Sequence, residues 1–274
     1  MRIVRGVPRP NRWNAVRRLR DVPDRLRKRR AQREAEREFE AWFSRDRTLL
    51  AGFRKELEDL GLLDELAAKR ASFDQRVKGE TRGWRYVFGE LRVEDAIRLY
   101  ALMRKTRPRV VVETGVCNGF SSSFILAALD RNADGQLYSL DLPEMAGEIA
   151  QVDEQSHDNV FWEGKLGAVI PQGEQSGWII PDRLRSRWHL TLGRTQETLP
   201  PLLRELGEID FFFHDSEHSY ECMSFEFSAA WPVLRPGGIL LADDYSWNEA
   251  LADFARAHQR PLLHVSRKTA FIVK

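Results

Sequence analysis

The chain predicts a doubly wound α/β domain, with a mainly parallel sheet between helices, a helical N-terminal extension and a C-terminal antiparallel hairpin. Three observations carry this. After residue 80, short apolar runs alternate with amphipathic stretches, the rhythm of successive strand–helix units. A glycine-bearing turn follows the first strong strand and opens a helix, as at a ligand-binding strand end. Two β runs close the chain, separated only by Ser-Arg-Lys, as in a hairpin.

The extension covers residues 1–75 and the α/β domain residues 76–274. Pro8, Pro10 and Pro23 break the first stretch, so its helix should be most continuous from about Asp24. From there Phe39, Trp42, Phe43, Leu49, Leu50 and Phe53 recur at steps of three and four, giving one buried stripe. Residues 1–37 hold fourteen Arg or Lys against Asp21, Asp24, Glu34 and Glu36, a local net of +10. The whole chain is only +2, so the remainder is −8. The favoured reading is a solvated basic arm whose aromatic stripe packs on the main domain or on a second subunit. The sharper reading is contact with anionic lipid or another polyanion, since each surface Lys or Arg adds about 1 kcal/mol of attraction to an anionic membrane.

In the domain, a helix over Val93–Lys105 is stopped by Pro108, and strands follow at Arg109–Glu113, Gln136–Leu140, Trp188–Leu192, Ile209–His214 and Gly238–Ala242. Helices over Ser121–Asp130, Thr195–Leu206 and Tyr220–Val233 fit between them, and Leu262–Val265 and Thr269–Val273 form the hairpin. The 274 residues, 42% hydrophobic and 31% charged, exclude a disordered, collagen-like or disulfide-scaffold chain. No apolar run approaches the roughly 18 residues of a membrane helix, and the Arg-rich start lacks an apolar signal core. Two distant cysteines, Cys117 and Cys222, suggest neither a disulfide framework nor a CxxC metal site, so a reducing cytoplasm is the simplest home.

Chemistry begins where the first strand ends, at Glu113-Thr-Gly115-Val-Cys-Asn-Gly119. Two glycines permit a tight turn and close backbone approach, and the next helix offers free N–H groups to an anionic group. The E-x-G-x-x-x-G spacing departs from G-x-G-x-x-G and disfavours NAD or FAD. Asp141 ends the second strand, where a carboxylate can accept hydrogen bonds from both hydroxyls of a ribose. From about Gly89 onward these features, the Leu234–Gly238 turn (LRPGG) and the hairpin resemble the class I S-adenosylmethionine-dependent methyltransferases. The resemblance implies a Rossmann-like seven-stranded sheet and S-adenosylmethionine as cofactor. It places Gly115 and Gly119 along the methionine part, Glu113 near its amino group, Asp141 on the ribose, and Gly193-Arg194-Thr195 near adenine.

A second constellation speaks to reaction type. His214-Asp215-Ser-Glu217-His218 follows the fourth strand and Asp243-Asp244 the fifth, so three carboxylates converge at the ligand-binding edge. Hard oxygen donors suit Mg²⁺ or a similar divalent cation. Ser246-Trp-Asn-Glu249 has the form of a capping box, which frees Asp243 and Asp244 from capping the next helix. The pattern resembles the metal-dependent O-methyltransferases, both the catechol type and those acting on sugar hydroxyls of macrolides and aminocoumarins. That resemblance implies Asp215, Asp243 and Asp244 as metal ligands, with Asp215 also beside the cofactor. The base is a Lys or His three residues after the first Asp, or an acid two after it, here His218 or Glu217. An ordinary histidine pKa near 6.5 favours His218, against the alternative that it only opens the next helix.

The segment 142–187, with Trp162, Lys165 and Trp178 among glycines and prolines, is long enough to be a substrate lid. The expected partners are a small-molecule hydroxyl acceptor, a sugar among the options, and a second copy of the chain. Other readings are an inactive methyltransferase-like nucleoside-binding or membrane-associated assembly protein, a nucleic-acid methyltransferase and an NAD oxidoreductase. The intact acidic set, the absence of Pro-Pro-Tyr or Pro-Cys at the relevant strand end, and the glycine spacing disfavour them in turn.

Overall fold

In the computed structural model, which describes residues 12–43, 48–77, 85–143, 145 and 165–274, the apolar runs assemble into one seven-stranded sheet. Its strands are β2 (Val110–Thr114), β3 (Gln136–Asp141), β5 (Trp188–Leu192), β6 (Ile209–His214), β7 (Leu234–Ala242), β8 (Leu263–His264) and β9 (Ala270–Val273). The spatial order is β5-β3-β2-β6-β7-β9-β8, parallel from β5 to β7, with β9 antiparallel to β7 and to β8. β1 (Arg85–Val87) and β4 (Lys165–Ala168) form a separate parallel pair.

Alternation along the strands divides the core. Val111, Phe211, Phe213 and Leu241 face one layer, formed with α4 (Val93–Thr106) and α5 (Phe120–Asn132). Val112, Phe212, Leu240 and Ile272 face the other, formed with α6 (Thr195–Leu206), α7 (Tyr220–Ala230) and α8 (Ala250–Ala257). A strand side chain points to opposite faces at successive residues, so the Phe211-Phe212-Phe213 run feeds both cores. The chain passes from β2 outward to β3 and β5, then returns to β6 on the other side of β2. The reversal lies between β2 and β6, and open sheets of this kind bind ligands at the carboxyl edge of such a point.

The extension forms α1 (Arg12–Phe43), α2 (Thr48–Asp59) and α3 (Leu62–Val77). Its aromatic stripe packs on the main domain: Phe39 and Phe43 are buried in the same cluster as Tyr100 and Phe271, and Trp42 meets Phe271 edge-on at 4.7 Å. A two-pronged pair from Arg104 to Glu56, 3.0 Å on each oxygen, and a His264–Glu38 contact of 2.9 Å join the layers.

Several sequence expectations change. α1 already runs from Arg12 and carries Pro23 inside it: the proline costs a local kink and one hydrogen bond, while the Arg-rich turns on either side favour helix. Pro8 and Pro10 lie outside the described residues. α7 stops at Ala230, and Trp231–Val233, with Pro232, makes a 3₁₀ turn. β7 starts at Leu234 rather than Gly238, absorbing Pro-Gly-Gly through a register shift against β6. Within the expected lid, residue 144 and residues 146–164, including Trp162, lie outside the described residues, and Lys165 stands in β4. Among the described residues no helix is long and apolar enough to cross a membrane.

Candidate active site

The turn after β2 is shaped by contacts only glycine allows. Gly115 has φ +83°, and a Cβ there would stand 2.1 Å from the Asp215 carbonyl oxygen. The β2 and β6 loops can therefore touch, and the Asp215 N–H donates to the Thr114 carbonyl at 2.8 Å. Gly119 has φ +93°, and a Cβ there would meet Gly177 and Ile180 at 2.7 Å. Its open side thus admits the segment after β4 rather than a ligand. Asn118 seals that contact, donating to the Phe88 and Val169 carbonyls at 2.6 and 3.0 Å and accepting from the Trp178 indole N–H.

Glu113 lies beneath this turn instead of facing outward. It is fully buried and accepts hydroxyl bonds from Ser121, Ser122 and Ser139 at 2.8, 2.7 and 2.7 Å, tying β2 to α5 and β3. Burial pushes its pKa up to about 7 against the pull of those hydroxyls. Glu113→Ala should lower the unfolding free energy by about 3 kcal/mol at pH 5, since three buried hydroxyls lose their acceptor. The raised folded pKa means that the acid stabilises fully below about 4.5 and that this contribution is lost as pH rises through about 7. Glu113→Gln should flatten that slope in denaturant titrations run across the range.

Asp141 stands beside the glycine turn at the end of β3 and is 7% exposed. One oxygen accepts the Val116 and Cys117 N–H groups at 3.0 and 3.3 Å; the other accepts the Ser176 hydroxyl. A hydroxyl on this carboxylate is the kind of partner a ribose would be. The Gly193 N–H donates to the Asp141 carbonyl at 2.9 Å, which brings the loop after β5 alongside. Thr195 is buried with its hydroxyl 3.9 Å from the Cys222 sulfur, so its side chain serves the α6–α7 contact, while Arg194 is exposed before α6.

Asp215, Asp243 and Asp244 share one electrostatic neighbourhood. Burial, then the charges of Asp243, Asp244 and Glu113, raise Asp215 well above the usual carboxylate range. Burial and Asp244 push Asp243 to about 7. Asp243 accepts the Thr269 hydroxyl at 2.6 Å, and Asp244, at φ +43°, pairs with the Lys268 ammonium at 2.6 Å. As these side chains stand, no three His, Cys, Asp or Glu among the described residues are grouped to hold a metal ion. The donor chemistry nonetheless fits a hard divalent cation, because the charges of Asp243 and Asp244 crowd Asp215 and that of Asp244 crowds the buried Asp243.

The capping box does not form. Tyr245–Trp247 is a 3₁₀ turn that delays α8 to Ala250, and the Asn248 side chain, not Ser246, accepts the Ala250 N–H at 2.8 Å. Asp244 precedes that turn but makes no side-chain cap bond, so it and Asp243 remain free of capping duty.

His218 lies beside this acidic centre. Ser219 caps α7 by accepting the Cys222 N–H at 3.1 Å, so the histidine is not the cap. Its ring sits between His214 at 5.4 Å and Trp247 at 5.1 Å, and its Nδ1 is buried without a partner. Burial, then the nearby His214, lowers its pKa to about 4, so the ring is neutral at neutral pH. His214 itself turns into the core, where Nδ1 bonds Glu226 at 2.7 Å. Burial would raise Glu226, but His214 and hydroxyl bonds from Thr114 and Ser216 outweigh it and hold the carboxyl below its ordinary value. Glu217 is half-buried near Cys222, whose thiol burial, Glu226 and Glu217 push up to about 12.

The family described as a methyltransferase domain matches residues 112–245, from β2 to the turn after β7. That match spans just under half of the chain. In fold, the chain is similar to an O-methyltransferase from Bacillus cereus in complex with SAH, at TM-score 0.50 and 14% identity. That match covers 80% of this chain and 96% of that one. The O-methyltransferase NovP aligns at TM-score 0.48 and 18% identity over 66% of this chain and 80% of its own. TomG from Streptomyces achromogenes aligns at 0.45 and 17% over 67% and 81%. No curated protein matches the sequence.

Five residues of this site carried no sequence signal: Ser176, Glu226, Trp247, Lys268 and Thr269. Each reaches the site by a contact between distant segments. The one available hint was topological, since the turn of a hairpin antiparallel to β7 must return beside Asp243.

Proposed function

We propose that the protein moves a methyl group from S-adenosylmethionine to a hydroxyl of a small molecule or sugar. The observation that carries this is a half-buried His218 with a buried, partnerless Nδ1 beside three crowded carboxylates at the edge that holds Asp141. The Bacillus cereus neighbour, an O-methyltransferase in complex with SAH, agrees with the reading.

The cofactor supplies an electrophilic methyl group on a sulfonium. A divalent ion, held by Asp215, Asp243 and Asp244, would lower the pKa of the acceptor hydroxyl and steady its oxygen. The chain supplies the remainder. Asp141 would accept the ribose hydroxyls in place of Ser176, and the N-terminus of α5 would favour an anionic group beside it. His218 accepts the hydroxyl proton at Nδ1 while the oxygen attacks in line, so positioning provides much of the rate. Trp247, 54% exposed against His218, offers an apolar face to the acceptor.

The test is transfer of labelled methyl from S-adenosylmethionine to a panel of sugar and phenolic hydroxyls, with Mg²⁺ or with EDTA. O-methyl products that disappear with EDTA are expected. Products methylated only at nitrogen or carbon, or equal turnover in EDTA, would contradict the hydroxyl or the metal part respectively.

A further inference from the structure

We propose that Lys268 is a tethered cation that fills the acidic centre in the metal-free protein, and that a divalent ion binds by displacing it. The inference rests on the metal reading above.

The hairpin turn before β9 holds Lys268 in place. Ser266 is buried, and its hydroxyl accepts the Lys268 and Thr269 N–H groups, both at 3.1 Å. The Val265 and Ser266 N–H groups both donate to the Thr269 carbonyl, at 2.9 and 3.0 Å, and the Tyr245 N–H donates to the Lys268 carbonyl at 3.1 Å. The backbone of Lys268 is thus fixed on both sides, and adjacent side chains of one turn engage adjacent carboxylates: Thr269 takes Asp243 and Lys268 takes Asp244.

The ammonium reaches beyond its own partner. Its charge also favours ionised Asp215 and Asp243 and disfavours protonated His218, so it stands within range of the whole centre. Like charges repel at such distances; a divalent ion and this ammonium cannot both be accommodated at full strength. The geometry allows an exchange. The lysine side chain is 37% exposed while Asp244 is 13% exposed, and a four-carbon stem with a compact charge can swing to water without moving the turn. The same arrangement explains why the carboxylates are not gathered as a ready metal cluster: Asp243 and Asp244 are drawn toward the hairpin by Thr269 and Lys268.

The experiment is Mn²⁺ titration of the full chain, read by the electron paramagnetic resonance of free Mn²⁺, on wild type, Lys268→Gln, Lys268→Met and Lys268→Arg. The neutral variants should bind Mn²⁺ at least about tenfold more tightly than wild type, while Lys268→Arg, which keeps the charge, stays within about threefold of it. Equal or weaker binding by both neutral variants, with wild type still binding, would overturn the role of Lys268 and leave the metal reading intact. No Mn²⁺ binding by any of the four proteins would overturn both.

Discussion

Asp243→Asn should slow methyl transfer about 10²- to 10³-fold in kcat, as for loss of one preorganised electrostatic group, and at the same time stabilise the metal-free protein above pH 7. The two effects have one cause. Asp243 is buried against Asp244 and its pKa stands at about 7, so ionising it in the folded state is costly. A carboxyl raised in this way stabilises at low pH and loses that contribution as pH rises through about 7. The amide removes the ionisation while keeping an acceptor for the Thr269 hydroxyl. The stability gain should be near zero at pH 4 and open above pH 7, read by denaturant midpoints at constant slope. Unchanged turnover, or a loss of stability above pH 7, would contradict the charge-crowded centre. Cofactor affinity should change little, since Asp141 and the glycine turn are untouched.

His218→Ala should lower kcat by about 10² to 10⁴, the usual worth of a positioned base, with the dissociation constant for S-adenosylmethionine unchanged. Ser219 caps α7 and His214 pairs with Glu226, so the helix and the buried pair survive the truncation. The wild-type pH profile gives a second signature. An ordinary histidine base is half protonated near 6.5, whereas this one, lowered by burial and His214 to about 4, stays free to accept a proton well below that. The acidic limb of kcat should therefore lie below pH 6 and vanish in the alanine variant. A limb near 6.5 would mean that the ring is hydrated and charged in the working enzyme.

The sheet was legible because its strands are apolar enough to be covered on both faces. Phe211, Phe212 and Phe213 feed two cores, as successive residues of a strand covered on both faces do. The ends of β3 and β6 were legible for the same reason, and with them the positions of Asp141, Asp215 and His218. What a carboxylate does at those positions was less so. Glu113 belongs to the supporting layer under the glycine turn because three serines from two elements converge on it, a fact invisible in local spacing. The capping box failed because Asp244 takes a left-handed conformation and inserts a 3₁₀ turn, shifting the helix start past both box residues. Lys268 looked like hairpin punctuation, and only the antiparallel return of β9 against β7 sets it on Asp244.

The most direct test of the proposed nucleoside site is calorimetric titration of S-adenosylmethionine and S-adenosylhomocysteine into wild type and Asp141→Ala, with and without Mg²⁺. Asp141 already accepts a hydroxyl from Ser176 and two turn amides, so its carboxylate is where ribose recognition should concentrate. The expected result is one-to-one binding by the wild type, weakened at least about tenfold in a folded Asp141→Ala. No heat of binding to the wild type under either condition, or equal affinity in the variant, would contradict it.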